Sequence, residues 1–281
     1  MVIQPLQLGP LQPPPFDGRG SYTWRDAVGR PIARATSADG WSWMRLEGLA
    51  TYRYRHEPQS GSLSCFAAPD EGVPWAAVVD QYLRTVVVFA LQSYGYCCLH
   101  AAAVEGRAGV ALLAGPSGVG KTTLALELGR RGLTVLADDA AVVEASPPGG
   151  GPALRPLPFE PYLRPDAAGR HGLRERRLIT PPDAPLPLGE RRPLTALVFL
   201  ERKGDGSGSP PALTEASGTE AFEALLARAF LAKQVEALRE PRVVRELLLV
   251  AGRVPAYTLS YGDDVGAVTR AATEVEKLVS A

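Results

Sequence analysis

Cysteine, histidine and net charge are all scarce in this chain of 281 residues. There are 3 cysteines and 3 histidines, and 30 lysines and arginines balance 30 aspartates and glutamates. So few cysteines in a chain of this length argue against a disulfide-stapled fold and indicate a reducing compartment. Because the charges cancel, the composition gives no reason to expect nucleic acid or an anionic membrane surface as a partner.

Long uninterrupted apolar runs are missing as well. The most apolar long stretch, residues 75–98, carries Asp80 and Arg84 and is interrupted by Gly95, so we expect no membrane span. The N-terminus has no basic start followed by an apolar block, and therefore does not have the pattern of a signal peptide. We accordingly expect a cytoplasmic protein.

Two regions of different character are predicted along the chain. In residues 1–72, a proline-rich start precedes runs of period two, which predict a small β-rich subdomain. One such run, residues 52–55, alternates tyrosine with arginine. It could stack on nucleic-acid bases, but without a second such run we interpret it as one face of a strand. In residues 73–281, strand-like runs alternate with helical periodicity, which is typical of an α/β domain.

An arginine- and proline-rich stretch interrupts this second region at about residues 146–192. It has no regular period, so we interpret it as a long loop. It is either simply solvated or a mobile lid in which an arginine contacts phosphate. The sequence does not choose among its arginines, which include Arg164, Arg170, Arg174, Arg176, Arg177, Arg191 and Arg192.

The most informative stretch is residues 109–144. An apolar run at residues 110–114, predicted to be a buried strand, leads into a full G-x-x-x-x-G-K-[ST] pattern. The pattern consists of Gly115, Pro116, Ser117, Gly118, Val119, Gly120, Lys121 and Thr122, and Thr123 follows it. A helical run and a second apolar run come next, which is the context that a phosphate-binding loop needs. In such a loop, backbone N–H groups surround phosphate oxygens, the lysine contacts the outer phosphates and the hydroxyl binds Mg²⁺.

Two carboxylates follow the second apolar run. Asp138 and Asp139 end a strand that we expect to lie beside the loop strand in a parallel sheet. Carboxylates at that position could hold Mg²⁺, directly or through water, or accept a proton. The alternative is that they only form a turn or a helix cap. His100 lies on a predicted strand upstream, where a histidine is often simply part of the core.

These residues together resemble the catalytic core of the HPr kinase/phosphorylase family. The resemblance covers roughly residues 99–144 and is carried by Leu99-His100, the loop from Gly115 to Thr122, Arg131-Gly132-Leu133 and Ala137-Asp138-Asp139. It implies a P-loop fold related to the phosphoenolpyruvate carboxykinases, with ATP and Mg²⁺ as cofactors. It also implies that Asp138 takes the proton from the substrate serine and that His100 lies beside that carboxylate and assists the reverse direction. Lys121 and Thr122 would be the phosphate and metal ligands.

The resemblance has two departures. The loop ends in Thr122-Thr123 rather than Ser-Glu, and no Glu-Ile-Arg-Gly signature follows, Glu160 being the nearest carboxylate. Both favour the kinase-only, HPr-kinase-related branch of the family. We therefore predict a kinase whose acceptor is a serine of a small protein or of a peptide, such as a natural-product precursor. A kinase of free serine or a sugar, and a P-loop ATPase switch without an acceptor, stay open as alternatives. A homo-oligomer would agree with the resemblance, since bifunctional members of the family assemble.

Overall fold

A computed structural model describes residues 1–13, 16, 21–57, 59–93, 95–145, 150–157, 186–203, 210–229, 241–264 and 266–280. The strands in these ranges are β1 (Val2–Ile3), β2 (Gln7–Leu8), β3 (Tyr22–Arg25), β4 (Pro31–Ala38), β5 (Trp41–Leu46), β6 (Ala50–Glu57), β7 (Ser62–Pro69), β8 (Cys97–Leu99), β9 (Ala101–Gly106), β10 (Gly109–Ala114), β11 (Thr134–Ala137), β12 (Ala141–Glu144), β13 (Ala153–Arg155), β14 (Leu186–Pro187), β15 (Arg192–Arg202), β16 (Ala212–Glu215) and β17 (Ala256–Tyr261). The helices are α1 (Trp75–Gln81), α2 (Val87–Ser93), α3 (Lys121–Arg130), α4 (Gly218–Leu226), α5 (Pro241–Ala251) and α6 (Ala267–Ser280), and a π-helical turn, Tyr82–Val86, joins α1 to α2.

The chain divides into two compact units, and the boundary falls after Gly95. Among the described residues, the first unit contains residues 1–95 and 186–188, and the second contains the others. The helical segment of residues 75–93 therefore belongs to the first unit. The sequence pattern, in contrast, had assigned residues from 73 onward to the core that carries the glycine-rich loop.

The first unit is built on a mixed sheet in the order β14-β1-β7-β6-β5-β4-β3, with β2 also paired to β7. Strands β3 to β7 form an antiparallel meander. Alternation along β6 places Tyr52 and Tyr54 on a buried face, where the Tyr52 hydroxyl donates to the Val78 carbonyl oxygen at 2.9 Å. Arg53 points to the opposite face and stacks over Trp41, with its guanidinium 4.3 Å from the ring centroid. The alternating tyrosine and arginine run is thus a strand with two different faces, as its period predicts.

The second unit is an α/β sandwich. Its sheet has the order β11-β9-β10-β15-β17-β16, and β13, β12 and β8 extend it from the beginning of β15. The central strands β10, β15 and β17 are parallel. Residues of β10 alternate between two apolar clusters: Leu112 packs in the cluster that includes α4 and α5, and Leu113 in the one that includes α3 and α6. Helices therefore cover both faces of the sheet, and the predicted α/β fold, a mixed sheet flanked by helices with a β-rich N-terminal part, is confirmed.

One strand lies where the sequence had not predicted it. We expected the strand before Asp138 to lie next to the loop strand β10 in a parallel arrangement, but β9 lies between β10 and β11 and is antiparallel to both. Two successive antiparallel pairings restore the original direction, so β11 still runs the same way as β10. Within the described ranges, no helix combines the length and the apolar composition that crossing a membrane requires.

Candidate functional site

One edge of the second unit's sheet brings the predicted site residues together. Strand β10 ends at Ala114, which pairs with Ala101 at the start of β9. His100, just before β9, therefore lies beside the beginning of the glycine-rich loop. Strand β11 ends at Ala137, which also pairs with β9, so Asp138 and Asp139 leave the sheet at the same edge. The antiparallel β9 thus places the histidine between the loop and the carboxylates.

The loop needs its glycines for two different reasons. Gly118 and Gly120 have φ angles of +82° and +107°, in the left-handed region that residues with a side chain rarely adopt. Gly115 is needed for space, because a Cβ there would lie 2.9 Å from the Leu200 carbonyl oxygen. After Gly120, helix α3 begins, and among the described residues no side chain caps its first turn. The N–H groups of that turn, together with the positive end of the helix, are suited to an anion.

The lysine and threonine of the motif both lie inside the site. The ammonium group of Lys121 donates to the carbonyl oxygens of Gly115 and Pro116 at 3.0 and 3.1 Å, and the residue is only 6% exposed. The Thr122 hydroxyl donates to Asp138 Oδ1 at 2.8 Å. Thr123 is partly buried in the same turn. The structure thus places a cation within the loop and pairs a hydroxyl with a carboxylate at its end.

The contacts of His100 define its tautomer, and its lowered pKa favours the neutral ring. Its Nδ1 lies 2.9 Å from the backbone oxygen of Asp139. A carbonyl oxygen can only accept, so Nδ1 carries the proton and Nε2 is the acceptor nitrogen of the neutral ring. Burial lowers the pKa of His100, and the charge of Lys121 lowers it further, while the contact with Asp139 partly opposes this. Asp139 itself has a φ angle of +63°, in the left-handed region, and its carbonyl oxygen contacts the ring.

A metal at this edge would have oxygen ligands. No group of three or more histidine, cysteine, aspartate or glutamate side chains suited to a metal occurs in the described part of the chain. Mg²⁺, however, is commonly held by one or two protein oxygens together with phosphate oxygens and water. The Thr122 hydroxyl and the Asp138 carboxylate are such a pair, and Asp139 adds a second carboxylate nearby in the chain.

The predicted loop arginines are not at this edge, as far as the described residues extend. Arg164, Arg170, Arg174, Arg176 and Arg177, like Glu160, lie outside those residues. Arg191 forms an ion pair with Glu144, and Arg192 lies 3.6 Å from Glu190 and 3.9 Å from Glu105. Because β15 begins at Arg192 and runs parallel to β10, Arg192 lies at the sheet edge opposite the loop.

Two residues at the site had no signal in the sequence. The Tyr261 hydroxyl, at the end of β17, donates to the Val119 carbonyl oxygen at 2.5 Å inside the protein, and burial raises its pKa to about 12. Arg228, in the turn after α4, accepts a hydrogen bond at its backbone oxygen from the His100 amide at 2.8 Å. Both come from segments more than a hundred residues after their partners, beyond the reach of any local pattern.

No protein-family model matches the chain, and no curated protein matches it. Among solved structures, the chain is similar to the structure of the Hpr(Ser) kinase/phosphatase from Coxiella burnetii, with 14% identity and a TM-score of 0.32, over 65% of this chain and 87% of that one. Because the TM-score is so low, nothing about function follows from this similarity.

Proposed function

We propose that this protein is an ATP- and Mg²⁺-dependent kinase that transfers the γ-phosphoryl group to a hydroxyl, a serine of a small protein or a peptide. The observation that supports it most is the meeting of three features at one sheet edge: Lys121 inside a glycine-rich loop, the Thr122–Asp138 pair, and the neutral His100. A phosphate-binding turn alone would account for the first feature only.

The triphosphate would lie along residues 115–123. Backbone N–H groups of the loop and of the first turn of α3 would donate to its oxygens. Lys121 would exchange its contacts with the Gly115 and Pro116 carbonyl groups for phosphate oxygens, which carry more negative charge. This exchange keeps the buried ammonium group paired in both states, so nucleotide binding leaves no unpaired charge behind.

The residues present fit Mg²⁺. Thr122 and Asp138 would hold it, with Asp139 as a further oxygen ligand. When bound, Mg²⁺ neutralises charge on the outer phosphates.

The transfer itself requires a proton acceptor. As the acceptor oxygen forms its bond to the γ-phosphorus, the bond from that phosphorus to the β–γ bridging oxygen breaks and ADP leaves. The hydroxyl proton passes to Asp138, whose two oxygens carry enough lone pairs to accept it beside the bond from Thr122. His100 is neutral, so it adds no positive charge that would stabilise the carboxylate against protonation. It would orient the edge through its bond to Asp139.

The serine acceptor is suggested by the motif resemblance, and a cytoplasmic location by the three cysteines, which are all buried and form no disulfide. The test is transfer from γ-labelled ATP with Mg²⁺ to three acceptors in parallel: a peptide encoded beside the gene, an HPr-like protein and free serine. Lys121→Ala serves as the inactive control. Label on a serine of the peptide or the protein is the expected result. Label on free serine alone would replace the proposal by a metabolite kinase, and release of free phosphate regardless of acceptor would replace it by an ATPase switch.

A further inference from the structure

Arg228 is anchored at the edge that carries the site. The His100 amide donates to the Arg228 carbonyl oxygen at 2.8 Å, and the adjacent residues Leu99 and Ala229 form an antiparallel bridge. These backbone contacts attach the turn after α4 to the end of β8, immediately before the histidine. Helix α4, which leads into this turn, is itself held at its start by a capping box between Ser217 and Glu220.

The charge of Arg228 acts on the site and has no acidic partner in the described ranges. Its positive charge, like that of Lys121, lowers the pKa of His100. The residue is partly buried. Other partly buried arginines of this unit are each paired with a carboxylate, including Arg131 with Glu127 and Arg155 with Glu144.

A partly buried cation without a counter-charge is costly, because burial removes hydration that no anion replaces. An anionic ligand at the same edge would compensate for this cost. The glycine-rich loop already marks that edge as a place for phosphate, so the two observations, which come from different parts of the chain, point to the same chemistry.

We propose that Arg228 binds the terminal phosphoryl group of the bound nucleoside triphosphate, as a second fixed cation beside Lys121. The proposal rests on the proposed kinase function. A guanidinium can donate two hydrogen bonds to two oxygens of one phosphoryl group and keeps its charge at any physiological pH. It can therefore stabilise the charge on those oxygens while the bridging bond breaks and the bond to the acceptor forms. The arginine that contacts phosphate would thus be Arg228 and would come from a different segment than the predicted loop of residues 146–192.

The test compares binding of two nucleotides that differ in this phosphoryl group. We would measure, by calorimetric titration with Mg²⁺, the affinities for a non-hydrolysable ATP analogue and for ADP. The proteins are the wild type, Arg228→Met, Arg228→Lys and the control Arg107→Met. Arg107 is an exposed arginine in the turn between β9 and β10, at the opposite end of the strands. Thermal unfolding of each variant shows whether it is folded.

We expect Arg228→Met to lose affinity for the ATP analogue by about 10- to 100-fold, the range for hydrogen bonds to a charged group, with ADP affinity nearly unchanged. Arg228→Lys should lose less, and Arg107→Met should behave as the wild type. If Arg228→Met does not fold, a selective loss of the ATP analogue in Arg228→Lys carries the same conclusion. In a folded variant, an equal loss of affinity for both nucleotides, or no loss for either, would overturn the role of Arg228. That result would leave the kinase proposal standing. A wild type that binds neither nucleotide would overturn the kinase proposal, and this inference with it.

Discussion

Replacing Tyr261 by phenylalanine would remove a hydroxyl group that contacts the glycine-rich loop. Tyr261 is 1% exposed, and its hydroxyl donates to the carbonyl oxygen of Val119 at 2.5 Å. The ring belongs to the apolar cluster that contains Leu124 and Leu200, and phenylalanine would keep that packing. The substitution therefore isolates one hydrogen bond between the end of β17 and the loop.

The expected loss of stability follows from the Val119 carbonyl oxygen, which would be left without its donor. A buried carbonyl oxygen that loses its donor costs about 1–3 kcal/mol, and the free energy of unfolding should fall by that amount. The same bond positions the peptide unit between Val119 and Gly120, next to the start of α3. Without this bond the loop is less ordered before the nucleotide binds. Part of the binding free energy is then used to order it, which lowers the affinity for the nucleotide. If about 1 kcal/mol of the loss appears on binding, nucleotide affinity falls by about fivefold.

The assay pairs urea unfolding with calorimetric titration of the ATP analogue. The matched control is Tyr257→Phe, which makes the same chemical change on the same strand. Tyr257 is partly buried, and within the described residues its hydroxyl makes no hydrogen bond. We expect a clear loss in both measurements for Tyr261→Phe and almost none for Tyr257→Phe. If the two variants behave alike, the hydrogen bond to Val119 does not hold the loop and the reasoning is wrong.

Three further predictions concern the site directly. Lys121→Ala should abolish detectable nucleotide binding in the same titration, because the loop loses its buried cation; retained affinity would contradict the phosphate role. Asp138→Asn should still bind nucleotide but lose transfer from labelled ATP by at least about 100-fold, the scale of general-base catalysis, and retained transfer would rule out this base. The pKa of His100 is lowered on folding, so its contribution to stability is present above pH 6.5 and is lost as the pH falls through the folded-state value. Between pH 7 and 5 the wild type should therefore lose more unfolding free energy than His100→Gln, as measured by urea unfolding at each pH.

Local patterns predicted much of the second unit. At the start of helix α4, a capping box joins Ser217 to Glu220, only three residues further along the chain. Gly118 and Gly120 of the loop have positive φ angles, which glycine readily adopts. Such features depend on residues within one or two turns of each other, so the sequence carries the complete signal. The roles given to Lys121 and Asp138 stay predictions.

Other predictions failed, or could not be made, because they depend on pairings between distant segments. The period of an apolar run shows that it is a strand but not which strand lies beside it, so the position of β9 between β10 and β11 could not be foreseen. The arginine predicted to contact phosphate from residues 146–192 stays a prediction, since Arg164 to Arg177 lie outside the described residues; Arg191, which is described, forms an ion pair with Glu144.

The residue pattern alone predicts a phosphate-binding loop within an α/β domain, since such a loop is defined by eight consecutive residues and the strand and helix on either side of it; the α/β domain, with that strand and that helix, is present in the structure. Only the tertiary structure decided what surrounds the loop. Tyr261 contacts the loop because β17 pairs in parallel with β15, and Arg228 lies beside His100 because a bridge joins Leu99 to Ala229. Such contacts are selected by the packing of the whole unit, and no short stretch of sequence records them.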